Sequence, residues 1–316
     1  MTPLTPLLHT ETYSVSELTP YINWLYLLHA WQLPPRLAGA VQVHDCPACH
    51  ARWIGSLPTA DHAAGREALR LIADAREMLA WLDSRYHVYG RFGLFAAQGD
   101  GDDIVCYTAP QEEVRLPLLR QQTVRHVGDP YLCLADFVSP QRPAADDVRR
   151  LPVANVVGVF VTAVEDAMEQ AFAGDDYRHM LVRTLAERLA EAAAERLHEA
   201  VRRTHWGYAP DEHLDAKSLF AEAYQGRRPA VGYPSLPDQS LIFLMDRLID
   251  FGHIGVHLTE NGMMQPAAAV AGLMLGHPAV RHFAVGRISE EALADYARRR
   301  GVPADRLRPF LRANLT

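Results

Sequence analysis

The sequence predicts an α+β fold built around an antiparallel sheet. Long segments with apolar residues at helical spacing are separated by short β-branched runs, and these runs do not alternate regularly with helices. Gly99, Asp100 and Gly101 lie between two strand-like runs and form a hairpin signal, which joins antiparallel strands. No strand-like run is followed by a G-x-G-x-x-G pattern. A Rossmann or barrel architecture is therefore disfavoured.

Helices are predicted in five parts of the chain. Residues 16–31 are apolar, rich in aromatic residues and followed by two prolines, and residues 61–84 carry apolar side chains along one face. Residues 175–204 show the clearest leucine periodicity and begin with acidic residues that suit the helix dipole. Residues 289–301 begin at an N-cap serine and end at a glycine, and residues 303–311 predict a last short helix.

Strands are predicted at five places. Residues 92–97 and 103–107 flank the hairpin signal. Residues 153–163 are β-branched and nearly uncharged, which predicts a strand buried on both faces. Residues 253–258 and 282–288 are expected to form two further strands.

The long helix carries a polar face as well as an apolar one. Its members follow one another at spacings of three or four residues, and they are Arg188, Glu191, Glu195 and His198. Solvation with weak ion pairs is one interpretation of this face. Contact with a ligand is the other, and the helix alone does not decide between them.

Composition and charge exclude several classes of protein. The 316 residues are 49% hydrophobic and 22% charged, as in a globular protein with a proper core. The net charge of −7 does not indicate a nucleic-acid-binding protein, because such proteins are typically basic. Neither a secretory signal nor a membrane-spanning stretch is recognised, so we expect a cytoplasmic protein with reduced cysteines.

Residues 141–147 are expected to form a mobile surface loop.

The segment QGRRPAVGYP, residues 225–234, does not look like an ordinary connection. Two prolines and two glycines favour an extended, tightly turned backbone, which would hold Arg228 and Tyr233 without regular secondary structure. An arginine fork binds a carboxylate through two hydrogen bonds, and an aromatic ring stacks on a flat ligand. A purely structural loop is the alternative interpretation.

Collinear stretches along nearly the whole sequence resemble the activation domain of cobalamin-dependent methionine synthase. The most specific is YQGRRPAVGYPSLPD at residues 224–238. The others are LRQQT (119–123), YLCLADFV (131–138), DDYRHMLVRTLAERLAEAAAERLHEAVRR (175–203), WGYAPDE (206–212), LTENGMMQPAAAVAGL (258–273), HFAVGRIS (282–289) and DYARRRG (295–301). The resemblance implies a bent antiparallel sheet with long flanking helices in a single domain over residues 1–316. Residues 1–14 would be an N-terminal extension, and residues 36–60 an insertion atypical of the family.

The resemblance also implies a function. In this family the domain binds S-adenosylmethionine, docks on the cobalamin-binding module of methionine synthase and lets reduced flavodoxin repair oxidised cofactor. Electron delivery to cob(II)alamin, with methyl transfer, restores the active enzyme. The D-x-H-x-x-G cobalamin motif is not matched, because Ala216 stands in the glycine position after Asp211 and His213. We therefore expect a stand-alone activation subunit for this methyltransferase of methionine biosynthesis, which meets cobalamin on a partner.

The family's ligand positions can be carried over residue by residue. Arg228 matches its carboxylate-binding arginine, while Asn23 and Glu191 would serve the ammonium end and Tyr233 the adenosine. The full implied set of S-adenosylmethionine-binding residues is Asn23, Arg188, Glu191, Arg228, Pro229, Ala230, Gly232, Tyr233, Glu260, His282 and Phe283. No general base is expected, because the cobalt is itself the nucleophile.

The sequence departs from the family pattern at several of these positions. Asn23 stands where the family has an aspartate, so it keeps a hydrogen-bond acceptor but brings no charge. His282 and Phe283 replace paired tyrosines, and Gln239 and Ile242 replace a histidine and a lysine. These replacements favour an alternative function: a docking module of the same fold that binds the cobalamin-bearing partner without catalysis.

The stretch HDCPACH, residues 44–50, lies outside the family pattern. Its C-x-x-C-H has the form of a haem attachment site, which a cytoplasmic chain disfavours. Zinc bound by Cys46, Cys49 and His50, or by His44 as well, is chemically reasonable, although no second C-x-x-C is present. A reduced surface or interface turn is the favoured interpretation, and a metal- or redox-responsive regulator is the alternative.

Positive charge is concentrated near the C-terminus. The arginines concerned are Arg298, Arg299, Arg300, Arg306, Arg308 and Arg312. An acidic flavodoxin-type electron donor is one partner that such a patch would suit. Ordinary solvation of exposed arginines is the alternative.

Overall fold

The computed structural model describes residues 5–109, 112–124, 126, 128–143 and 147–315. Its centre is a six-stranded sheet with the strand order β4–β3–β2–β5–β8, in which β1 also pairs with β2. The strands of this sheet are β1 (Leu7–Tyr13), β2 (Val88–Asp100), β3 (Asp103–Ala109), β4 (Glu112–Pro117), β5 (Val156–Val164) and β8 (Ala269–Met274). All pairings between them are antiparallel. A separate short hairpin contains β6 (His257–Leu258) and β7 (Met264–Gln265).

Helices cover both faces and the ends of this sheet. They are α1 (Val15–Leu18), α2 (Trp24–Ala30), α3 (Pro47–Ser56), α4 (His62–Asp83), α5 (Asp166–Glu169), α6 (Asp176–Ala200), α7 (Ala216–Phe220), α8 (Ile242–Ile249), α9 (Glu290–Arg300) and α10 (Ala304–Leu307). None of the described helices has both the length and the apolar character that crossing a bilayer requires. The predicted α+β class with an antiparallel sheet is confirmed.

The central strand β5 places alternate side chains in different parts of the core, as its period of two requires. Val159 and Val161 pack on the face covered by α8, in a cluster that includes Met245. Phe160 points to the opposite face and packs with Leu197 of α6. All nine residues of β5 are buried, so the predicted strand with two buried faces is confirmed, although Val153–Asn155 forms a 3-10 turn before it.

Several other predicted elements are confirmed. The helix over residues 61–84 is α4, and the helix over residues 175–204 is α6, which continues into a π-helical turn at Val201–His205. The hairpin joins β2 to β3 with Gly101 at φ 61°. Ser289 caps α9 by accepting a hydrogen bond from the Ala292 amide.

Three predicted elements are wrong in whole or part. The helix over residues 16–31 is interrupted by the 3-10 turn Thr19–Tyr21, and a new helix starts after Asn23 because its side chain supplies an N-cap. Of the strand expected over residues 253–258, only His257–Leu258 forms, as β6, because residues 253 and 254 belong to the 3-10 turn Phe251–Ile254, which is capped by Gly255 with φ 78°. Of the strand expected over residues 282–288, only Ile288 makes an isolated bridge, and residues 282–287 form no strand.

Two further predictions concern short C-terminal and loop segments. The last helix, expected over residues 303–311, is regular only over Ala304–Leu307 and continues in turns. The mobile loop expected over residues 141–147 includes residues 144–146, which lie outside the described part of the chain.

Much of the C-terminal positive charge is paired within the chain. Arg299 bridges Asp103 and Asp295, Arg308 bridges Glu290 and Asp305, and Arg298 also pairs with Asp295. Arg300 lies 3.7 Å from the carboxylate of Asp238, and both side chains are buried. The pairs with Asp103 and Asp238 attach α9 to the rest of the molecule, and the Arg308–Glu290 pair attaches the end of α10 to α9. Together these ion pairs reduce the positive charge available for a partner.

The buried carboxylate of Asp238 is the centre of one stabilising network. Tyr296 donates its hydroxyl hydrogen to Asp238 Oδ2 at 2.6 Å, and Asp238 Oδ1 accepts the Ser240 amide at 2.9 Å. Burial, and next the charge of Asp238, raises the pKa of Tyr296 well above its usual value, so the hydroxyl stays a donor.

Replacing Tyr296 by Phe should therefore lower the free energy of unfolding by about 1–3 kcal/mol, because a buried acceptor loses its donor. Denaturant unfolding measures the change. Tyr131→Phe, at a side chain that is 50% exposed, is the matched control and should change stability by less than about 0.5 kcal/mol. An equal effect of the two substitutions would contradict this account of the network.

Candidate functional site

A cleft of about 780 Å³ opens between α6, the start of α2 and the loops around residues 220, 230 and 283. All the implied ligand-binding residues except Gly232 and Glu260 line it. The lining residues are Tyr21, Asn23, Tyr26, Arg188, Glu191, Glu195, Leu219, Phe220, Glu222, Arg228, Pro229, Ala230, Tyr233, Pro234, Ser235, Val270, His282, Phe283 and Ala284. The sequence-based set and the cavity therefore coincide closely in space.

The loop that carries Arg228 is attached to the edge of the sheet. Arg227 and Leu275 exchange backbone hydrogen bonds of 2.8 and 2.9 Å, and Pro229 accepts the Leu273 amide at 3.0 Å. This close approach requires Gly272, because a Cβ there would lie 2.3 Å from the Pro229 carbonyl oxygen. The backbone on both sides of Arg228 is thus held by hydrogen bonds to β8 and to the residue that follows it.

Arg228 forms a buried ion pair with the long helix. Its Nη2 lies 2.5 Å from Glu195 Oε1, and the two side chains are only 11% and 17% exposed. Burial by itself lowers the pKa of Arg228, but the charge of the Glu195 carboxylate and the hydrogen bond to it have the larger effect. The pKa of Arg228 is therefore raised above its usual value. Arg228 Nη1 and Glu195 Oε2 are buried without a hydrogen-bond partner among the described residues. One half of the guanidinium therefore has no hydrogen-bond partner among the described residues.

A second buried polar layer lies beneath this pair. His198 is completely buried, and burial, followed by the nearby Arg202 and Arg228, lowers its pKa well below the usual value. The imidazole is therefore neutral at physiological pH. Arg202 is also fully buried and pairs with Glu212 at 2.5 Å while its guanidinium lies over the ring of Tyr224. Of the two interpretations of this face of α6, solvation does not hold for Glu195 and His198, because residues 224–228 cover them.

Glu191 and Arg188 occupy the more open part of the cleft. Tyr233 Oη donates to Glu191 Oε1 across 3.4 Å, and the Glu191 charge, followed by burial, raises the pKa of Tyr233. Arg188 lies with its guanidinium 5.5 Å from the centre of the Tyr26 ring. Tyr26 and Tyr233 are 57% and 53% exposed, so both side chains are accessible to solvent.

Glu222 is a cleft residue that the sequence analysis missed. His282 Nε2 lies 2.6 Å from Glu222 Oε2, and Arg227 Nε lies 3.3 Å from the same oxygen. The hydrogen bond with His282 is the main reason why the pKa of Glu222 is lowered, so the carboxylate stays ionised. Its one sequence signal is an acidic residue shortly before the Pro/Gly loop. Nothing in that spacing indicates contact with His282, 60 residues away in the chain.

Asn23 faces the cleft from the first turn of α2. Its Oδ1 accepts the Leu25 amide hydrogen at 3.2 Å and so caps this helix. Aspartate is an equally good N-cap. The side chain at this position can therefore change charge without loss of the cap.

Two predicted site residues lie elsewhere. Gly232 has φ 88° and makes the turn that follows the Arg228 loop, where its amide bonds to the Leu236 carbonyl. Glu260 is exposed in the turn between β6 and β7, outside the cleft. That turn borders a neighbouring cavity of about 300 Å³, whose lining includes Gln239 and Ile242. The departures from the family pattern at residues 239 and 242 therefore belong to this second cavity.

The cysteine motif lies at the start of α3. Donor atoms of His44, Cys46 and Cys49 lie within 4.8 Å of one another. The histidine brought to the two thiols is His44, whereas His50 pairs with Asp45 at 3.4 Å. The favoured surface turn is thus a helix N-terminus with half-buried thiols.

The charges and rings of the cleft define its chemistry. The guanidinium groups of Arg188 and Arg228 can bind a carboxylate, and the apolar lining can cover a flat ring. The carboxylates of Glu191 and Glu222 can hold cationic groups, whereas Glu195 is already paired with Arg228. Such an arrangement suits a zwitterionic ligand with excess positive charge and an aromatic part.

Comparison with known proteins agrees with this chemistry. The family model described as "Vitamin B12 dependent methionine synthase, activation domain" matches residues 14–301. The fold is also similar to a crystal structure of the MetH reactivation domain bound to AdoHcy, with a TM-score of 0.82 and 35% sequence identity. That alignment covers 100% of this chain and 93% of the other. The chain belongs to the family of activation domains of vitamin B12-dependent methionine synthase.

Proposed function

We propose that the cleft binds S-adenosylmethionine and that the chain presents the bound methyl group to cobalamin held by a partner module during reductive methylation. The observation that carries this proposal is the convergence of a half-paired guanidinium, three carboxylates and exposed aromatic rings on one cavity of about 780 Å³. Cavities of this size are typical of small-molecule sites. The similar crystal structure contains AdoHcy, which shares the adenosine and amino-acid parts of the proposed ligand.

The carboxylate of the ligand would bind Arg228. Glu195 already satisfies Nη2, whereas Nη1 has no partner among the described residues. A buried donor without an acceptor is costly, so an incoming carboxylate at Nη1 removes this cost as it binds. The fixed backbone of Pro229 and Ala230 would hold the guanidinium in this position while the ligand arrives.

The cationic end of the ligand would face the acidic residues of the cleft. S-adenosylmethionine carries an ammonium and a sulfonium, and Glu191 and Glu222 both line the cavity as carboxylates. Because His282 keeps the pKa of Glu222 low, this charge is available well below neutral pH. Asn23 would offer an amide oxygen to the ammonium, and Tyr233 and Phe283 would cover the adenosine.

The proposed ligand supplies an electrophilic methyl group on sulfur. The residues of this chain bind it, orient it and exclude water from its charged end, and none of them needs to accept or donate a proton. The second reactant, cobalamin, would be brought by a partner. Flavodoxin is proposed as the electron donor, and the cytoplasm as the location.

Arg228→Ala should weaken binding of S-adenosylmethionine by about 1.5–3 kcal/mol, or about 10- to 150-fold, because the carboxylate loses a charged hydrogen-bond donor. Isothermal titration calorimetry measures this change. Absence of heat with the unsubstituted protein at millimolar ligand would refute the binding proposal.

Two controls separate binding from folding in this experiment. Arg183→Ala removes an exposed arginine of the same helix α6 and should leave the affinity unchanged. Arg228→Ala also leaves Glu195 as an unpaired buried charge, so Arg228→Ala with Glu195→Gln restores neutrality. If this double variant melts normally and still binds like the unsubstituted protein, Arg228 is not the carboxylate ligand.

A docking module without ligand is the second candidate function. One observation favours it: Asn23 brings no charge, and its oxygen is already used by the Leu25 amide. Such a module would bind the cobalamin-bearing partner and leave the methyl transfer to another protein.

Asn23→Asp distinguishes these two functions. If the cleft is intact, the added charge beside the ammonium should increase the affinity for S-adenosylmethionine by about tenfold, since charged hydrogen bonds are the stronger ones. Asn23→Ser is the matched control, because it keeps an N-cap without a charge and should give no increase. An unchanged calorimetric affinity in Asn23→Asp would favour the docking module.

Reactivation of a partner tests the other half of the proposal. The protein is mixed with oxidised, cobalamin-bearing methionine synthase that lacks its own activation module, together with S-adenosylmethionine and reduced flavodoxin. Recovery of homocysteine methylation that depends on this chain and on S-adenosylmethionine is expected. A stable complex without recovery would indicate docking alone, and this result would stand independently of the binding measurements.

A further inference from the structure

The N-terminal end of α3 gathers three donors that soft metal ions prefer. Cys46 is the N-cap residue of α3, Cys49 lies in its first turn, and His44 precedes them by two residues. One donor atom from each lies within 4.8 Å of the others. His44 is exposed and the two cysteines are half-buried, so a metal ion can reach them from solvent.

The backbone brings these side chains together. The Cys46 amide bonds to the His44 carbonyl at 2.8 Å, which folds the preceding segment back toward the helix. The Cys49 amide donates to Cys46 Sγ at 3.3 Å. Serine, threonine, aspartate and asparagine are the preferred N-caps, and a thiol is a weak acceptor. Capping alone therefore does not explain a cysteine at this position.

Both thiols lie at the start of a helix, Cys46 at the N-cap and Cys49 in the first turn. Thiolates rather than thiols ligate metal ions. The amides at the start of a helix favour negative charge, which offsets part of the cost of bringing two thiolates together.

We infer that His44, Cys46 and Cys49 form a binding site for Zn²⁺ that is separate from the S-adenosylmethionine cleft. Two cysteines and one histidine are a zinc ligand set that leaves one of four tetrahedral positions for water or an added ligand. The soft sulfur donors select zinc over magnesium or calcium. The site differs from the C-x-x-C-H pattern in the sequence, because His50 pairs with Asp45.

The site has a structural consequence for α3. No residue of this helix is buried, and its apolar contacts lie at the opposite end, where Ile54 and Leu57 approach Gly65 of α4. The N-terminal end thus has little packing to hold it. A bound ion that joins His44 to the first turn would supply this attachment, since zinc binding contributes directly to folding free energy.

A second group of possible metal ligands, His9, Glu11 and His205, has to be distinguished from this site. His9 and His205 both lie against Glu11 Oε1, at 3.0 and 3.3 Å. These side chains satisfy one another by hydrogen bonds, and the group contains no thiol. A spectroscopic probe that reports sulfur ligation therefore distinguishes the two groups.

Co²⁺ is that probe. Metal-free, fully reduced protein is titrated with Co²⁺, and we expect one equivalent to bind with a thiolate-to-cobalt charge-transfer band and the visible spectrum of tetrahedral cobalt. Zn²⁺ should displace it and protect Cys46 and Cys49 from alkylation. Cys46→Ser with Cys49→Ser should abolish the band, and His44→Ala should weaken Zn²⁺ binding at least about tenfold.

His50→Ala is the matched control and should bind Zn²⁺ with the affinity of the unsubstituted protein. Loss of Zn²⁺ binding in His50→Ala, together with unchanged Zn²⁺ binding in His44→Ala, would overturn the assignment. Absence of a charge-transfer band, or a band that persists without Cys46 and Cys49, would also overturn it. So would a stable Cys46–Cys49 disulfide in protein kept under cytoplasmic reducing conditions. None of these measurements uses S-adenosylmethionine, so they test the metal site independently of the proposed function.

Discussion

The buried ion pair between Arg228 and Glu195 is the contact on which the geometry of the cleft depends. It joins a loop without regular secondary structure to the longest helix, and it does so where both side chains have lost most of their water. Removing one partner of such a pair typically costs about 3–5 kcal/mol, because the other charge is then buried alone. The pair therefore fixes the distance between the two walls of the cleft, and Nη1 of the guanidinium stays without a partner among the described residues.

Both walls are anchored to the same sheet. Helix α6 lies on β5, where Thr162 donates its hydroxyl hydrogen to the Ala190 carbonyl at 2.9 Å. The Arg228 loop lies along β8, which pairs with β5 over six residues. Because strands β5 and β8 are neighbours, the helix and the loop cannot shift independently. This shared support explains how a site composed mainly of loop residues can keep a fixed shape.

The sequence predicts the parts of this site that depend on local chemistry. Leucine spacing located α6, and the Pro/Gly pattern located the Arg228 loop. The sequence did not predict that Glu195 and His198 are buried. Periodicity shows which residues share a helix face, but it does not show which distant segment covers that face. Glu222 was missed for the same reason, since its partner His282 comes from another part of the chain.

The wrong elements have equally specific causes. Residues 282–288 were expected to form a strand, but the Val285 amide bonds to the Pro234 carbonyl in the loop beside the cleft, and the Val285 carbonyl accepts the Gln122 amide. Residues 16–31 have the composition of one helix, yet the Asn23 side chain starts a new one. In both places a hydrogen bond that the pattern does not encode decides the backbone.

Gly272 links the packing of β8 to the position of the loop that carries Arg228. The missing side chain is what lets β8 and the Pro229 carbonyl lie so close together. One extra methyl group there would displace the backbone next to Arg228, whereas the antiparallel pairing of β8 with β5 lies on the opposite edge of the strand. A larger residue at position 272 would therefore reshape the wall of the cleft beside Arg228 and leave the strand pairing of the central sheet in place.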